Sequence, residues 1–186
     1  MNKFRKKGLI LMLTLVLALA LAACVGGGDT GTPNSQEDED YYTEISNDTR
    51  RVGQEGYGFI SIPSYWVNFQ NINSPNVDVA FSDPTGSSII NLFLFDDSFE
   101  PTTFLSAVAL GMHDDGAENI SSAIVTLDGM DVYQVYGYYP ISGSWLVAWA
   151  FTGSDGKLRF ITAEAPRNDI VDVVRIIEYT YSNNEW

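Results

Sequence analysis

Beyond residue 56 the chain is written in short stretches of alternating apolar and polar residues, the period-two pattern of half-buried strands. Tyr57-Gly58-Phe59-Ile60-Ser61-Ile62-Pro63 alternates and is stopped by its proline. Trp66 to Phe69 reads as a further short strand. Val77 to Ser82 and Ser87 to Phe95 flank Asp83-Pro84-Thr85-Gly86, whose Asp, Pro and Gly occupy the positions favoured in a type I turn. Ala123 to Leu127 and Met130 to Tyr139 flank Asp128-Gly129, a strong two-residue hairpin signal. Trp145 to Thr152 and Leu158 to Ala163 flank Gly153-Ser154-Asp155-Gly156, a longer hairpin turn.

Two segments change period. Pro101 to Asp115 carries Phe104, Leu105, Val108 and Met112 on one helical stripe, with proline in the first turn and Gly116 as a stop. Asn168 to Tyr179 carries Ile170, Val173, Val174 and Ile177 at i, i+3, i+4 and i+7. The order ββββ-α-ββββ-α predicts an α+β fold, an antiparallel sheet flanked by helices. Residues 132–152 are apolar on both faces, which predicts strands covered on both sides and central in the sheet.

A different pattern opens the chain. Four cations lie within residues 3–7, and an apolar run from Gly8 to Ala20 then ends in Leu21-Ala22-Ala23-Cys24. A positive start, an apolar middle and small residues before a cleavage point are the parts of a secretory signal. An ordinary membrane anchor is the competing reading, since the apolar run is only slightly short of a spanning helix. Gly26-Gly27-Gly28 follows without a basic flank, however, and Cys24 is the chain's one cysteine. Leu-Ala-Ala-Cys matches the lipobox of bacterial lipoproteins. That resemblance implies cleavage after residue 23, a diacylglyceryl group on the Cys24 thiol, and a domain held by lipid on the extracytoplasmic face of the cell membrane. Acylation by two chains gives a stable anchor where one does not.

Cleavage would remove four cations and no anion, moving the formal net charge from −14 to −18. That sign repels a nucleic-acid backbone, so nucleic acid is not expected as a partner. With the single cysteine committed to lipid, no disulfide is expected. Residues 24–50 comprise the lipidated cysteine and a tether rich in Gly, Ser, Thr, Asn and acid, extended by Glu37-Asp38-Glu39-Asp40. Residues 25–50 as a flexible coil span on the order of 28 Å. Residues 51–186 suffice for one compact domain. The glycines after Cys24 suit a Gram-positive tether, and Val25 provides no inner-membrane retention signal of the Gram-negative kind. The two envelopes both stay open.

The stretch Tyr57-Gly58-Phe59-Ile60-Ser61-Ile62-Pro63-Ser64-Tyr65-Trp66 resembles the opening strand of PsbP-like domains, with an aromatic, an Ile pair and a Pro shortly before Trp. The hairpin, helix, meander, final helix and aromatic strand-like tail Tyr179-Thr180-Tyr181 continue the likeness over about residues 55–183. The resemblance implies an α/β/α sandwich around an antiparallel sheet. It also implies a binding or assembly accessory rather than an enzyme, as for the extrinsic PsbP subunit of photosystem II, a nuclear Ran-binding factor and many bacterial lipoproteins. It carries over no functional residue.

Candidate chemistry is sparse. His113 is the only histidine, and the chain has neither a Gly-x-Ser-x-Gly elbow nor a free thiol to serve as its nucleophile. Its place near a helix C-terminus has an electrostatic rationale of its own. Acidic groups occur at Asp96-Asp97 with Glu100, at Asp114-Asp115 with Glu118, and at Asp128 with Asp131. Calcium takes several hard oxygens, which makes Asp96, Asp97 and Glu100 the first candidates for Ca2+, although no group matches an EF-hand loop. Ten Tyr, ten Phe and four Trp form the third feature. Aromatic residues supply either core or partner hot spots, and Trp145 and Trp149 are the candidate partner surface. The expectation is a non-enzymatic, membrane-tethered domain that binds a cell-envelope protein and needs no cofactor. A small-ligand or Ca2+ binder is the alternative, and an enzyme with carboxylates in a cleft comes third.

Overall fold

The computed structural model describes residues 48–68, 79–95 and 99–184. The expected signal segment 1–23, Cys24 and the expected tether to residue 47 lie outside the described residues, as do Asp96 and Asp97. The elements are β1 (Thr49–Gln54), β2 (Gly58–Pro63), β3 (Val67–Asn68), β4 (Val79–Ser82), β5 (Ile89–Phe95), α1 (Pro101–Asp114), β6 (Glu118–Leu127), β7 (Met130–Tyr139), β8 (Ser144–Thr152), β9 (Leu158–Pro166) and α2 (Ile170–Thr180). Neither helix is long and apolar enough to cross a membrane.

Seven strands form one antiparallel sheet in the order β3-β4-β5-β9-β8-β7-β6. The other two, β1 and β2, make a separate hairpin in which Val52 faces Ile60. The turns are those the sequence predicts. Gly86 N–H donates to the Asp83 carbonyl at 3.0 Å, closing Asp83-Pro84-Thr85-Gly86. Asp128 and Gly129 both have positive φ, 50° and 74°, as a type I′ turn requires. Gly156 N–H closes on the Gly153 carbonyl at 3.0 Å, and the buried Arg159 holds Asp155 across that turn at 2.8 Å.

Two cores lie on opposite faces of the large sheet. On one, α1 buries Leu105, Val108 and Met112 against Val135, Leu146, Ala148 and Leu158. On the other, α2 buries Ile170, Val173, Ile176 and Ile177, with the β1–β2 hairpin beside it, against Val132, Val147, Trp149 and Ile161. Successive residues of β8 therefore serve opposite cores. The double-sided apolar pattern over residues 132–152 has this cause: β7 and β8 are interior strands, although the middle place belongs to β9.

Some expectations need correcting. The strand over residues 57–63 is not in the main sheet, and its partner β1 begins at Thr49, inside the stretch assigned to the tether. The β6 strand starts at Glu118, five residues before the expected Ala123. The α2 helix starts at Ile170 and buries Ile176, while Val174 is half-buried. The tail is not strand over 179–181, since the helix runs to Thr180 and only Ser182 bridges to Phe59.

Candidate functional site

The α1 helix crosses the sheet over β7 and β8 and leaves an open groove beside β6. Glu100 sets where the helix begins: its carboxylate accepts from Thr102 N–H at 3.2 Å and Thr103 N–H at 2.7 Å. The Thr102 hydroxyl, which also donates to it, leads these bonds in holding its pKa down at about 2. One wall of the groove is Thr102, Leu105, Ser106 and Ala109 of α1, and the floor is Ser122 and Ile124 of β6 with Tyr133 and Val135 of β7. The volume is about 510 Å³. Ile124 lies directly across from Tyr133 in the strand register, and both are exposed, at 64% and 39%. None of the side chains lining the groove is charged, in a chain with 24 acidic residues.

Two half-buried glutamates, Glu164 and Glu178, lie elsewhere. On the α1 face, Glu164 of β9 accepts from the Ser144 hydroxyl at 2.9 Å, and Ser144 lies 2.6 Å from the Ser142 hydroxyl. Burial raises the pKa of Glu164, and the serine bond offsets part of that rise. The neighbouring Tyr139 is raised by its own burial and then by the charges of Asp115 and Glu164. On the α2 face, one oxygen of Glu178 accepts from Gln134 Nε2 at 2.8 Å and from Trp149 Nε1 at 3.3 Å. Burial raises its pKa too, against those two hydrogen bonds. Glu178 thereby satisfies the only polar atom of the Trp149 ring, as a buried indole requires.

Both glutamates take up a proton more readily folded than unfolded. Stability therefore rises as pH falls from neutral toward the ordinary glutamate range, and the gain is complete below it. Gln retains the acceptor oxygen without the charge, so Glu164→Gln and Glu178→Gln should each raise the melting temperature at about pH 7. Their advantage should shrink as the parent glutamates protonate. Thermal melts of parent and variants at matched pH isolate this effect from the general acidity, and a pH-independent difference would refute it.

The structure disperses the sequence candidates. Trp149 is fully buried and is no partner surface: its strand is covered by α2 on that side and flanked by β7 and β9. Trp145 is half-buried and packs on the Tyr138 ring, with centroids 5.4 Å apart. Of the Ca2+ candidates only Glu100 is described, and its carboxylate oxygens are taken up in capping α1. Among the described residues no three His, Cys, Asp or Glu side chains converge as a ligand set. His113 sits in the last turn of α1, exposed and 3.4 Å from Asp114. Asp128 accepts from the backbone and side-chain nitrogens of Asn183, tying the C-terminal tail to the β6–β7 turn. The groove residues Ile124 and Tyr133 escaped the sequence reading, because an alternating strand does not reveal which face lacks a cover.

No family model matches the chain, and no curated protein matches it in sequence. Solved structures resemble it in fold. The solution structure of cyanobacterial PsbP (CyanoP) from Synechocystis sp. PCC 6803 superposes with a TM-score of 0.54 at 15% identity, covering 87% of this chain and 98% of that one. LpqN, involved in cell envelope biogenesis of Mycobacterium tuberculosis, is 16% identical over 77% of this chain and 95% of its own, with a TM-score of 0.48. The described domain has the PsbP-like α+β fold, antiparallel strands between helices.

Proposed function

We propose that this protein is a lipoprotein anchored through Cys24 at the extracytoplasmic face of the cell membrane, where its PsbP-like domain serves as a non-enzymatic accessory to an envelope protein. The observation that carries this reading is the uncharged groove beside α1, with Ile124 and Tyr133 exposed on its floor. Exposed apolar surface rimmed by polar side chains marks interaction sites, and Thr102, Ser106 and Ser122 provide such a rim. Polar side chains set within the fold support the same reading. Glu178 holds a helix to the sheet and Arg159 holds a turn, which are architectural tasks. A small apolar ligand is the second reading, because the groove's volume falls within the range of ligand pockets.

The test places a photo-crosslinking residue at Ser106 in the groove, or at Val171 on the exposed side of α2, in the full chain in its native cells. One envelope protein should be captured from Ser106 and not from Val171. Cys24→Ser should release the chain from the membrane and abolish that capture. The same background from both positions would count against the groove. Retention of Cys24→Ser on the membrane would count against the lipid.

A further inference from the structure

The two edges of the large sheet are unlike. Among the described residues the β3 edge is two residues long, whereas β6 presents ten. Natural edge strands are kept from pairing by shortness, by charge, by proline or by a bulge. Here Asn119 to Leu127 contains no charged residue and no proline. The one guard is an irregularity between Glu118 and Ser121, where Asn119 has a φ of 53°. From Ser121 to Leu127 the strand runs in unbroken register with β7, and no strand among the described residues pairs with its outer side.

We infer that β6 is a pairing edge for β6 of a second copy of this chain, related by a dyad through Ile124. The two-residue Asp128-Gly129 turn makes Leu127 and Met130 a pair that exchanges both backbone bonds. Bonded residues alternate along an antiparallel strand, so Val125, Ala123 and Ser121 also bond inward to β7. The N–H and C=O groups of Ser122, Ile124 and Thr126 then point outward, and these three positions are symmetric about Ile124. An antiparallel copy centred there sets Ile124 against Ile124 and Ser122 against Thr126. On the opposite face it sets Ala123 against Val125. Every outward backbone group from 122 to 126 finds a partner, and the side-chain pairs are apolar or hydroxyl, both favourable across strands.

Charge does not oppose this occupant at the strand itself. The whole chain carries −14, so two copies repel over most approaches, but the Ser121–Leu127 segment brings no acid against acid. Ile124 and Tyr133 of one copy, both exposed now, would continue across the dyad into Ile124 and Tyr133 of the other. The two grooves beside α1 would then share one apolar floor. A contact confined to one strand is smaller than a permanent interface needs, so association depends on concentration, and copies held on one membrane meet more readily. The inference stands on strand geometry and does not depend on the groove having a foreign partner.

The test uses the full chain in its native cells with Ile124→Cys and a short thiol-to-thiol crosslinker, against the parent that retains only Cys24. Ile124→Cys should shift to twice the monomer mass, and the equally accessible Val171→Cys should not. Co-expressed Ser122→Cys and Thr126→Cys chains should crosslink to one another more than either does to itself, which reports the register. As a second measurement, the detergent-solubilised parent should gain mass with concentration in sedimentation. Ile124→Lys, placed on an exposed position, should stay monomeric with an unchanged melting temperature. The inference is overturned if Ile124→Cys reacts with a monofunctional maleimide yet gives no homodimer, or if it is captured by a different protein. It is equally overturned if a segment of its own chain shields the thiol.

Discussion

Trp149→Ala should lower the stability of the domain by about 3–5 kcal/mol, the range for emptying the site of a large aromatic ring. Trp149 is fully buried on β8, with strands on both sides and α2 above it. Rigid neighbours collapse poorly into such a space, so the upper part of the range applies. A second cost follows from Glu178. Its oxygen loses the indole donor and keeps Gln134 alone in a site where burial already disfavours its charge. The deficit should therefore be larger at neutral pH than under mildly acidic conditions, because protonation relieves it. Trp149→Phe fills most of the space without the N–H and should fall between the two. Chemical denaturation at two pH values checks both parts. A Trp149→Ala protein that melts within a degree or two of the parent would contradict the packing described above.

Gly58→Ala is expected to be nearly as damaging, although it adds a single methyl group. Gly58 has a φ of 98°, where a side chain strains the backbone by about 1–3 kcal/mol. A Cβ there would also overlap the Tyr181 ring. That ring cannot withdraw. It is buried edge-on against Phe151, with centroids 5.5 Å apart, and its hydroxyl reaches the Tyr57 carbonyl at 3.3 Å. Forcing such an overlap costs about 1–3 kcal/mol more. The strain falls where the C-terminal tail joins the hairpin, through Phe59 N–H to Ser182 O at 2.8 Å and Ser182 N–H to Phe59 O at 2.9 Å. Hydrogen exchange at Phe59 and Ser182 should accelerate before the rest of the domain unfolds. Gly86→Ala is the comparison: φ is 74°, but nothing lies within 4 Å of the added carbon. It should show the backbone cost alone. Equal melting of the two variants would remove the Tyr181 argument.

The parts of the fold that were legible in the sequence are those written in a few adjacent residues. Asp83-Pro84-Thr85-Gly86, Asp128-Gly129 and Gly153 to Gly156 each make the turn their chemistry dictates, because φ preferences and i to i+3 bonds are local matters. The stripe of α1 and most of that of α2 follow from periodicity in the same way. The β1 strand was not legible. Thr49-Arg50-Arg51-Val52-Gly53-Gln54 has weak alternation, and it becomes strand by pairing with β2 and by anchoring Arg51 on the distant Thr180 carbonyl and Ser182 hydroxyl. The early part of β6 was missed for a related reason: Ser121 and Ser122 are held extended by β7 rather than by their own preference.

The candidate site divides along the same line. Trp145 and Trp149 are four residues apart on one face of one strand and look equivalent in sequence, yet one is half-buried and the other fully enclosed. Ile124 and Val125 are adjacent and equally apolar, and only the first is open to solvent. The sequence alone determined the turns, the helix stripes and the double-sided character of the middle strands, since each depends on neighbours along the chain. The tertiary structure alone decided that β9 enters between β5 and β8, that β6 is left at an edge, and that α1 lies where a groove remains beside it. Strand order and helix placement come from surfaces that meet across the fold, and no run of adjacent residues specifies which of two similar faces will be covered.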